Sequence, residues 1–209
     1  MRAVIFAAGL LGSSTVLWAD CPASLVLEPA PDGMIALDLH WPCRAGERAV
    51  VTHEGLTFAG LLDEEGVLSL DVPALGTGAV GVLMPDGARL LTEVDTPVES
   101  FNAEWFVLQW QGGDDLRLEA EGVAPLLLGD ADAPWPMLAA VVPIPSGDPD
   151  LRAVAPVTRT TCGTEVLAET VQVRDGVLLR RDLTIAMPGC DAIGQGVVVP
   201  GLLDRPRLN

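Results

Sequence analysis

The chain has 209 residues, of which 49% are hydrophobic, and a formal net charge of −17 at pH 7. A surface this acidic repels phosphate backbones and anionic headgroups, which argues against nucleic-acid binding and against attachment to a membrane surface. Cationic partners or simple solubility remain as reasons for the charge. The length is sufficient for one large or two small β domains.

The first 19 residues have the layout of a secretory signal peptide. Arg2 supplies a positive charge, residues 3–11 are apolar, and Ala19 is a small residue before the predicted cleavage site. An uncleaved N-terminal anchor is the alternative, because the apolar run is near the short end of membrane-spanning length. No later stretch approaches twenty apolar residues. We therefore expect a periplasmic or extracellular protein with no transmembrane segment in the mature chain.

Four cysteines follow the predicted cleavage site. An even number of cysteines in an exported chain indicates disulfides rather than a metal site or a thiol catalyst. The midpoint of Cys21 and Cys43 falls on Asp32, which precedes Gly33. Asp-Gly between apolar runs is a strong hairpin signal, since both residues tolerate a positive φ. This spacing predicts a Cys21–Cys43 disulfide across a local hairpin.

The other two cysteines are arranged in the same way. Cys162 and Cys190 flank the pair Asp175-Gly176, which lies at their midpoint. We expect a Cys162–Cys190 disulfide across a second hairpin, with a bulge near Pro188-Gly189. The two disulfides leave no free thiol for chemistry.

The two predicted hairpins also resemble each other in sequence. Each contains, in order, Asp-Gly, an apolar pair, Asp-Leu, Pro and Cys, and each cysteine is followed by a glycine, at Gly46 and Gly194. A duplicated element would explain this similarity. Chance convergence of two disulfide hairpins is the alternative.

Short apolar runs occupy the region between residues 47 and 94. They are separated by turn residues, including Glu64-Glu65-Gly66 and Pro85-Asp86-Gly87, and none has a helical period. Even spacing of short apolar runs is typical of a β-sandwich or barrel. The sequence therefore predicts an all-β fold, an antiparallel β-sandwich of one or two units with two disulfide-stapled hairpins.

Residues 44–94 also carry a family resemblance. The segments concerned are Arg44-Ala45-Gly46-Glu47, Gly55-Leu56-Thr57-Phe58-Ala59-Gly60, Asp63-Glu64-Glu65-Gly66, Leu68-Ser69-Leu70-Asp71-Val72-Pro73 and Pro85-Asp86-Gly87. They resemble the carboxypeptidase regulatory-like, or transthyretin-like, β-sandwich domain. The resemblance implies a non-catalytic structural or binding role and carries over no catalytic residue. The whole chain is also similar to exported alphaproteobacterial proteins of uncharacterised function, which implies a compartment and no activity.

A proline-rich segment divides the rest of the chain. Residues 123–156 contain seven prolines. Because proline interrupts helices and strand ladders, this segment is predicted to be a linker or a long surface loop. The expected organisation is then a β-sandwich domain in residues 20–122, this linker, and a C-terminal β unit in residues 157–209. That unit either folds separately or completes the first sheet.

The candidate binding surface is Trp105 with Gln109 and Gln111. Strand alternation assigns Phe106, Leu108 and Trp110 to the core. It places Trp105, Gln109 and Gln111 on the outward face. An aromatic ring beside two amides suits stacking on a glycan or contact with a protein partner. The alternative is that Trp105 packs beneath the proline-rich segment.

Residues that carry catalysis or bind metals have no recognisable pattern here. His40 and His53 lie on different predicted strands without a paired spacing, so we expect no metal site and no cofactor. Asp130 and Asp132 alternate like calcium ligands but lack the glycine and distal glutamate of a calcium loop. No Gly-x-Ser-x-Gly motif occurs, and no carboxylate pair stands out among the 29 acidic residues.

The sequence thus favours a non-catalytic exported protein that binds a protein partner or a component of the cell envelope. The alternative is a carbohydrate-binding accessory module or a carbohydrate-active enzyme that uses the Trp105 face.

Overall fold

The computed structural model describes residues 21–76, 78–94, 103–112, 116–144 and 149–203. These residues form antiparallel strands joined by turns, which confirms the predicted all-β fold. The predicted signal peptide, residues 1–19, lies outside the described residues. The strands are β1 (Ser24–Ala30), β2 (Met34–His40), β3 (Arg48–His53), β4 (Leu56–Leu61), β5 (Val67–Pro73), β6 (Ala79–Leu83), β7 (Arg89–Glu93), β8 (Trp105–Gln111), β9 (Arg117–Ala120), β10 (Leu126–Leu128), β11 (Met137–Pro143), β12 (Leu151–Pro156), β13 (Glu165–Arg174), β14 (Val177–Ala186) and β15 (Gly196–Pro200).

The described strands form four sheets packed around two hydrophobic cores. The strand orders are β1-β2-β5, β4-β3-β6-β7, β10-β11-β8-β13-β14 and β15-β12-β9. The first core contains side chains of the first two sheets and of one face of the five-stranded sheet. The second core contains side chains of its other face and of the β15-β12-β9 sheet. The five-stranded sheet, called the central sheet below, is therefore shared by both cores.

Strand β8 shows how one strand serves both cores. Trp105 and Val107 lie in the first core, whereas Phe106, Leu108 and Trp110 lie in the second. Successive side chains of a strand point to opposite faces, so a strand covered on both faces is buried at every position rather than at alternate ones. The burial of β8 from its first residue to its sixth follows from this double coverage.

The first cysteine hairpin forms as predicted. Strands β1 and β2 pair from Ser24 opposite His40 to Ala30 opposite Met34, with the turn at Pro31–Gly33. Cys21 and Cys43 lie three residues beyond the last of these pairs, one on each strand, and are bonded with their Cα atoms 5.9 Å apart. The disulfide thus continues the register of the hairpin.

The second hairpin also forms, with an offset of one residue. Arg174 opposite Val177 closes a two-residue turn, and the ladder ends at Glu165 opposite Ala186. Cys162 lies three residues before Glu165, whereas Cys190 lies four residues after Ala186, and the two are bonded with Cα atoms 4.9 Å apart. The extra residue lies in the stretch where a bulge was predicted.

The sequence similarity of the two hairpins extends to their backbones. A 3₁₀ turn follows each hairpin, at Pro42–Arg44 and at Cys190–Ala192. The next residue has φ −53° and ψ 132° at Ala45, and φ −53° and ψ 133° at Ile193. A glycine with positive φ and a strand, β3 or β15, then follow each of these residues.

The predicted linker in residues 123–156 is wrong. This segment contains β10, β11 and β12, and β11 lies inside the central sheet between β10 and β8. Pro143 and Pro156 lie at the last positions of β11 and β12, where a missing N–H does little harm to a ladder. The residues of β11 before Pro143 contain no proline and form a short apolar run that is buried on both faces.

The chain does not divide at the predicted domain boundaries. The central sheet takes β8 from residues 20–122, β10 and β11 from residues 123–156, and β13 and β14 from residues 157–209. Strand β15 likewise pairs with β12, which pairs with β9. The C-terminal β unit completes sheets begun earlier in the chain, the second of the two arrangements considered above.

Candidate functional site

Trp105 does not contribute to an exposed surface. Its side chain is 5% exposed and belongs to the first core, and its neighbours across the sheet are Pro143 and Val173. The indole Nε1 is buried and has no hydrogen-bond partner among the described residues. The predicted strip of Trp105, Gln109 and Gln111 is therefore not a solvent-facing strip, because the sheets of the first core cover this end of β8.

Gln109 is buried as well, and all of its hydrogen bonds are internal. Its Oε1 accepts a bond of 2.8 Å from the backbone N–H of Thr57, and its Nε2 donates to the carbonyl of Gly55 at 2.9 Å. The same Nε2 donates to Glu169 at 2.6 Å, and Arg180 donates to both carboxylate oxygens of Glu169. The amide thereby joins the β3–β4 turn to the central sheet, a structural role that uses both of its donor hydrogens and its carbonyl oxygen.

Gln111 is exposed and lies at the mouth of a shallow groove of about 280 Å³. Thr57, Met137 and Leu167 form its sides, and Gln109 and Glu169 supply its polar groups. Because Glu169 is paired with Arg180 and bonded by Gln109, its carboxylate is already satisfied. The groove offers surface for a contact but no unpaired acid for acid–base chemistry.

A larger cleft lies on the opposite side of the central sheet. It has a volume of about 520 Å³ and lies beside strands β9, β10 and β11. Its lining is mostly apolar and includes Trp110, Leu116, Leu118, Leu127, Leu138 and Ala140, together with Pro125 and Pro156. Arg117 is the one charged residue among the lining residues. Apolar clefts of this size with few polar groups are the usual form of small-molecule sites.

Sequence reasoning missed this cleft because most of its walls come from the segment predicted to be a linker. Leu127, Leu138 and Ala140 lie in β10 and β11. The signal that could have found it is the pair of apolar runs between the prolines of that segment. Short apolar runs bounded by turn residues, as these are, are typical of buried strands.

Trp135 is the most exposed of the large apolar side chains in the described residues, at 79%. It lies between Pro134 and Pro136 in the β10–β11 connection and has a φ of 55°. Pro136 anchors this loop, since its carbonyl accepts a bond of 2.9 Å from the N–H of Gly112 at the end of β8. A bulky residue with positive φ is uncommon, and strain of this kind clusters at binding sites.

The histidines and acids considered for catalysis are not brought together. His40 is exposed at the end of β2, whereas His53 is 1% exposed, with Nδ1 bonded to the carbonyl of Ala79 and Nε2 to the N–H of Leu75. Desolvation by burial lowers the pKa of His53. Within the described ranges no group of three His, Cys, Asp or Glu side chains is placed to hold a metal ion.

No protein-family model matches this chain, and a search of curated proteins finds no match. The two disulfides indicate a non-reducing environment. In the part of the chain that the structure describes, no helix is long and apolar enough to cross a membrane.

Proposed function

We propose that this protein is a non-catalytic binding protein of the periplasm or cell exterior that holds an anionic amphiphile of the cell envelope in the apolar cleft. The observation that carries the proposal is the cleft itself, with apolar walls of about 520 Å³ and Arg117 at its lining. An apolar chain would fill the cleft, and an anionic headgroup at its rim would pair with the guanidinium of Arg117, an exposed residue whose positive charge acts locally against the repulsion of the acidic surface.

The non-catalytic part of the proposal is supported by what the polar groups already do. His53 is bonded through both ring nitrogens, Glu169 is paired with Arg180, and the four cysteines form disulfides. The resemblance of residues 44–94 to carboxypeptidase regulatory-like domains also favours a binding role.

Export is supported by the predicted signal peptide together with the disulfides. If residues 1–19 direct export, N-terminal sequencing of the protein recovered from the periplasm or medium should begin at Asp20. A protein that stays in the cytoplasm with free thiols would contradict this part.

The cleft is tested with dodecanoate and uncharged 1-dodecanol as probes, measured below their aggregation limits by calorimetry and by tryptophan fluorescence, to which Trp110 in the cleft contributes. We expect dodecanoate to bind about tenfold more tightly than dodecanol, since only dodecanoate pairs with Arg117. Arg117→Glu should remove this preference. Ala131→Trp places a bulky side chain at an exposed lining position and should abolish binding of both probes.

Leu91→Ala is the matched control, because Leu91 is an exposed apolar residue on β7, outside the cleft. It should bind both probes as the wild type does. Failure of dodecanoate to bind, or binding that Ala131→Trp leaves unchanged, would overturn the amphiphile proposal. Capture of an extended apolar peptide with the same sensitivity to Ala131→Trp would reassign the cleft to a protein partner.

A second candidate function, carbohydrate binding, is favoured by one observation, the 79% exposure of Trp135. An indole held between two prolines presents a flat apolar face of the kind on which sugar rings stack. A glycan array would identify a bound sugar, and Trp135→Ala should abolish that binding without changing the unfolding midpoint. An array without any signal would remove this candidate.

A further inference from the structure

We propose that two copies of this chain pair through the outer edge of β14, forming a two-fold symmetric dimer in which the two central sheets become one. Strand β14 is the edge of the central sheet and has only β13 beside it. It spans ten residues, Val177–Ala186, and contains no proline. A long edge strand with unpaired backbone groups is a template for another strand.

The other sheet edges in the described ranges are shorter or blocked. Strands β1, β5 and β15 contain Pro29, Pro73 and Pro200. Strands β7, β9 and β10 have five residues or fewer. The outer edge of β4 is occupied, because Gln109 bonds to its first residues and the N–H of Asp130 donates to the carbonyl of Ala59. Among these edges β14 alone combines length with freedom from proline.

The register with β13 determines which backbone groups of β14 face outward. Arg174 opposite Val177 closes the two-residue turn and exchanges hydrogen bonds. Bonded and non-bonded pairs then alternate along an antiparallel ladder. The outward N–H and C=O groups therefore belong to the residues at even-numbered positions, Leu178, Arg180, Asp182, Thr184 and Ala186.

In a single copy, two acids and one arginine lie close together at these outward positions of β14 and the β13 residue beside them. Asp182 lies directly opposite Glu169, and like charges in that arrangement are destabilising. Arg180 donates to Glu169 through Nε at 2.7 Å and Nη2 at 2.9 Å. Asp182 is left exposed at the edge beside this pair.

A second copy supplies the missing cation. A two-fold axis perpendicular to the sheet keeps the two faces in common, so paired residues must share a face. Pairing centred on Arg181 sets Arg180 opposite Asp182 of the second copy, and Asp182 opposite its Arg180. It also sets Leu178 opposite Thr184, so that the outward N–H and C=O groups of these four residues exchange hydrogen bonds with those of the second copy.

The charges also select this register over its neighbours. Moving the pairing one allowed step in either direction sets Arg180 against Arg180 or Asp182 against Asp182, which are repulsive pairs. Arg181 lies on the axis in the proposed register and meets its own copy on the other face, where its side chain donates to the carbonyl of Leu202 at 3.0 Å. The two Arg180–Asp182 pairs offset this one like-charge pair, whereas each neighbouring register has a like-charge pair and no opposite-charge pair at these positions.

The test is sedimentation of the disulfide-bonded chain at concentrations up to about 100 μM. We expect a dimer for the wild type. Asp182→Arg should raise the dimer dissociation constant about 100-fold or more, since it sets two arginines opposite each other at two symmetry-related places. At concentrations low enough for both proteins to be monomeric, the variant should keep the wild-type unfolding midpoint, because its new charge lies opposite Glu169.

A mixture separates edge pairing from any other interface. Arg180→Asp carries acids at both positions and Asp182→Arg carries arginines at both, so each alone should be monomeric while an equimolar mixture forms a heterodimer. Thr184→Pro removes one outward N–H and should also give monomers, whereas Leu91→Asp on β7 should leave the dimer intact. A monomeric wild type, or a dimer that persists in Asp182→Arg, would overturn the proposal.

Discussion

His53 accepts a hydrogen bond at Nε2 from the backbone N–H of Leu75, 2.8 Å away, while its Nδ1 donates to the carbonyl of Ala79 at 2.7 Å. The ring bridges β3, β6 and the segment after β5 inside the first core. This pair of bonds fixes the neutral tautomer, since a protonated Nε2 would set two donors against each other.

The neutral state of His53 predicts a loss of stability in acid. Burial lowers the pKa of His53 in the folded protein, so below about pH 6.5 the unfolded chain takes up a proton that the folded chain does not. Neutral His53 contributes fully to the free energy of unfolding above about pH 6.5. This contribution falls by about 1.4 kcal/mol per pH unit below that pH, until the lowered pKa of the folded protein is reached. Urea unfolding between pH 8 and pH 5 measures this slope.

Two variants assign the slope to His53. His53→Gln should be less stable at pH 8 and should lack this part of the pH dependence, whereas His40→Gln at an exposed position should keep it. Equal slopes in the wild type and His53→Gln would show that other groups cause the acid sensitivity.

Gln109 is predicted to stabilise the fold rather than to bind a ligand. Gln109→Ala leaves the N–H of Thr57 and the carbonyl of Gly55 without this partner, and we expect a loss of about 3 kcal/mol in the free energy of unfolding. Gln111→Ala, two residues away at an exposed position, should change it by less than about 0.5 kcal/mol. Similar values for the two variants would argue against the internal network.

Two turn glycines with similar φ should respond differently to alanine. Gly66 has φ 78° and an added Cβ would lie 2.4 Å from the carbonyl oxygen of Trp41, whereas Gly87 has φ 87° and nothing within 4 Å. Gly87→Ala should cost about 1 kcal/mol, from backbone strain alone. Gly66→Ala should cost about 3 kcal/mol or more, because the backbone contact cannot relax as a side chain does. Thermal unfolding of both variants tests the difference.

The shared central sheet predicts that both cores unfold together. Leu37→Ala in the first core and Leu151→Ala in the second should each cost about 3 kcal/mol, since both side chains are 1% exposed. Each variant should lower one common midpoint, whether unfolding is followed by circular dichroism or by tryptophan fluorescence. A variant that separates the transition into two steps would show that the cores fold independently.

The sequence predicted the two cysteine hairpins because turn chemistry is local. Asp32-Gly33 and Asp175-Gly176 specify where the chain reverses, and the reversal alone brings the matching cysteine opposite. The all-β class followed in the same way from short apolar runs between turn residues.

The central sheet was not predicted because its strands are distant in the chain. β8 pairs with β11 and β13, and the bonds of β8 therefore depend on which strands the folded chain places beside it. Proline content suggested a linker in residues 123–156, since composition does not say that Pro143 and Pro156 stand at strand ends.

The same limit explains the error at Trp105. Alternation correctly placed Trp105 and Phe106 on opposite faces of β8. Whether the second face is covered depends on the β1-β2-β5 and β4-β3-β6-β7 sheets, which no local pattern within β8 reports. The exposure of Trp135 was not predicted, because this residue lies between prolines rather than on a predicted strand.

Strand β8 has a consequence for how this protein tolerates change. Side chains alternate with a period of two, so inserting or deleting one residue in β8 would turn Phe106 and Leu108 toward the first core and Val107 toward the second. In a sheet with one solvent-exposed face, such a slip disrupts one core and turns its apolar side chains toward solvent. Here each core would receive the side chains that fit the other core. Packing in both cores therefore fixes the register of β8 with its two neighbouring strands.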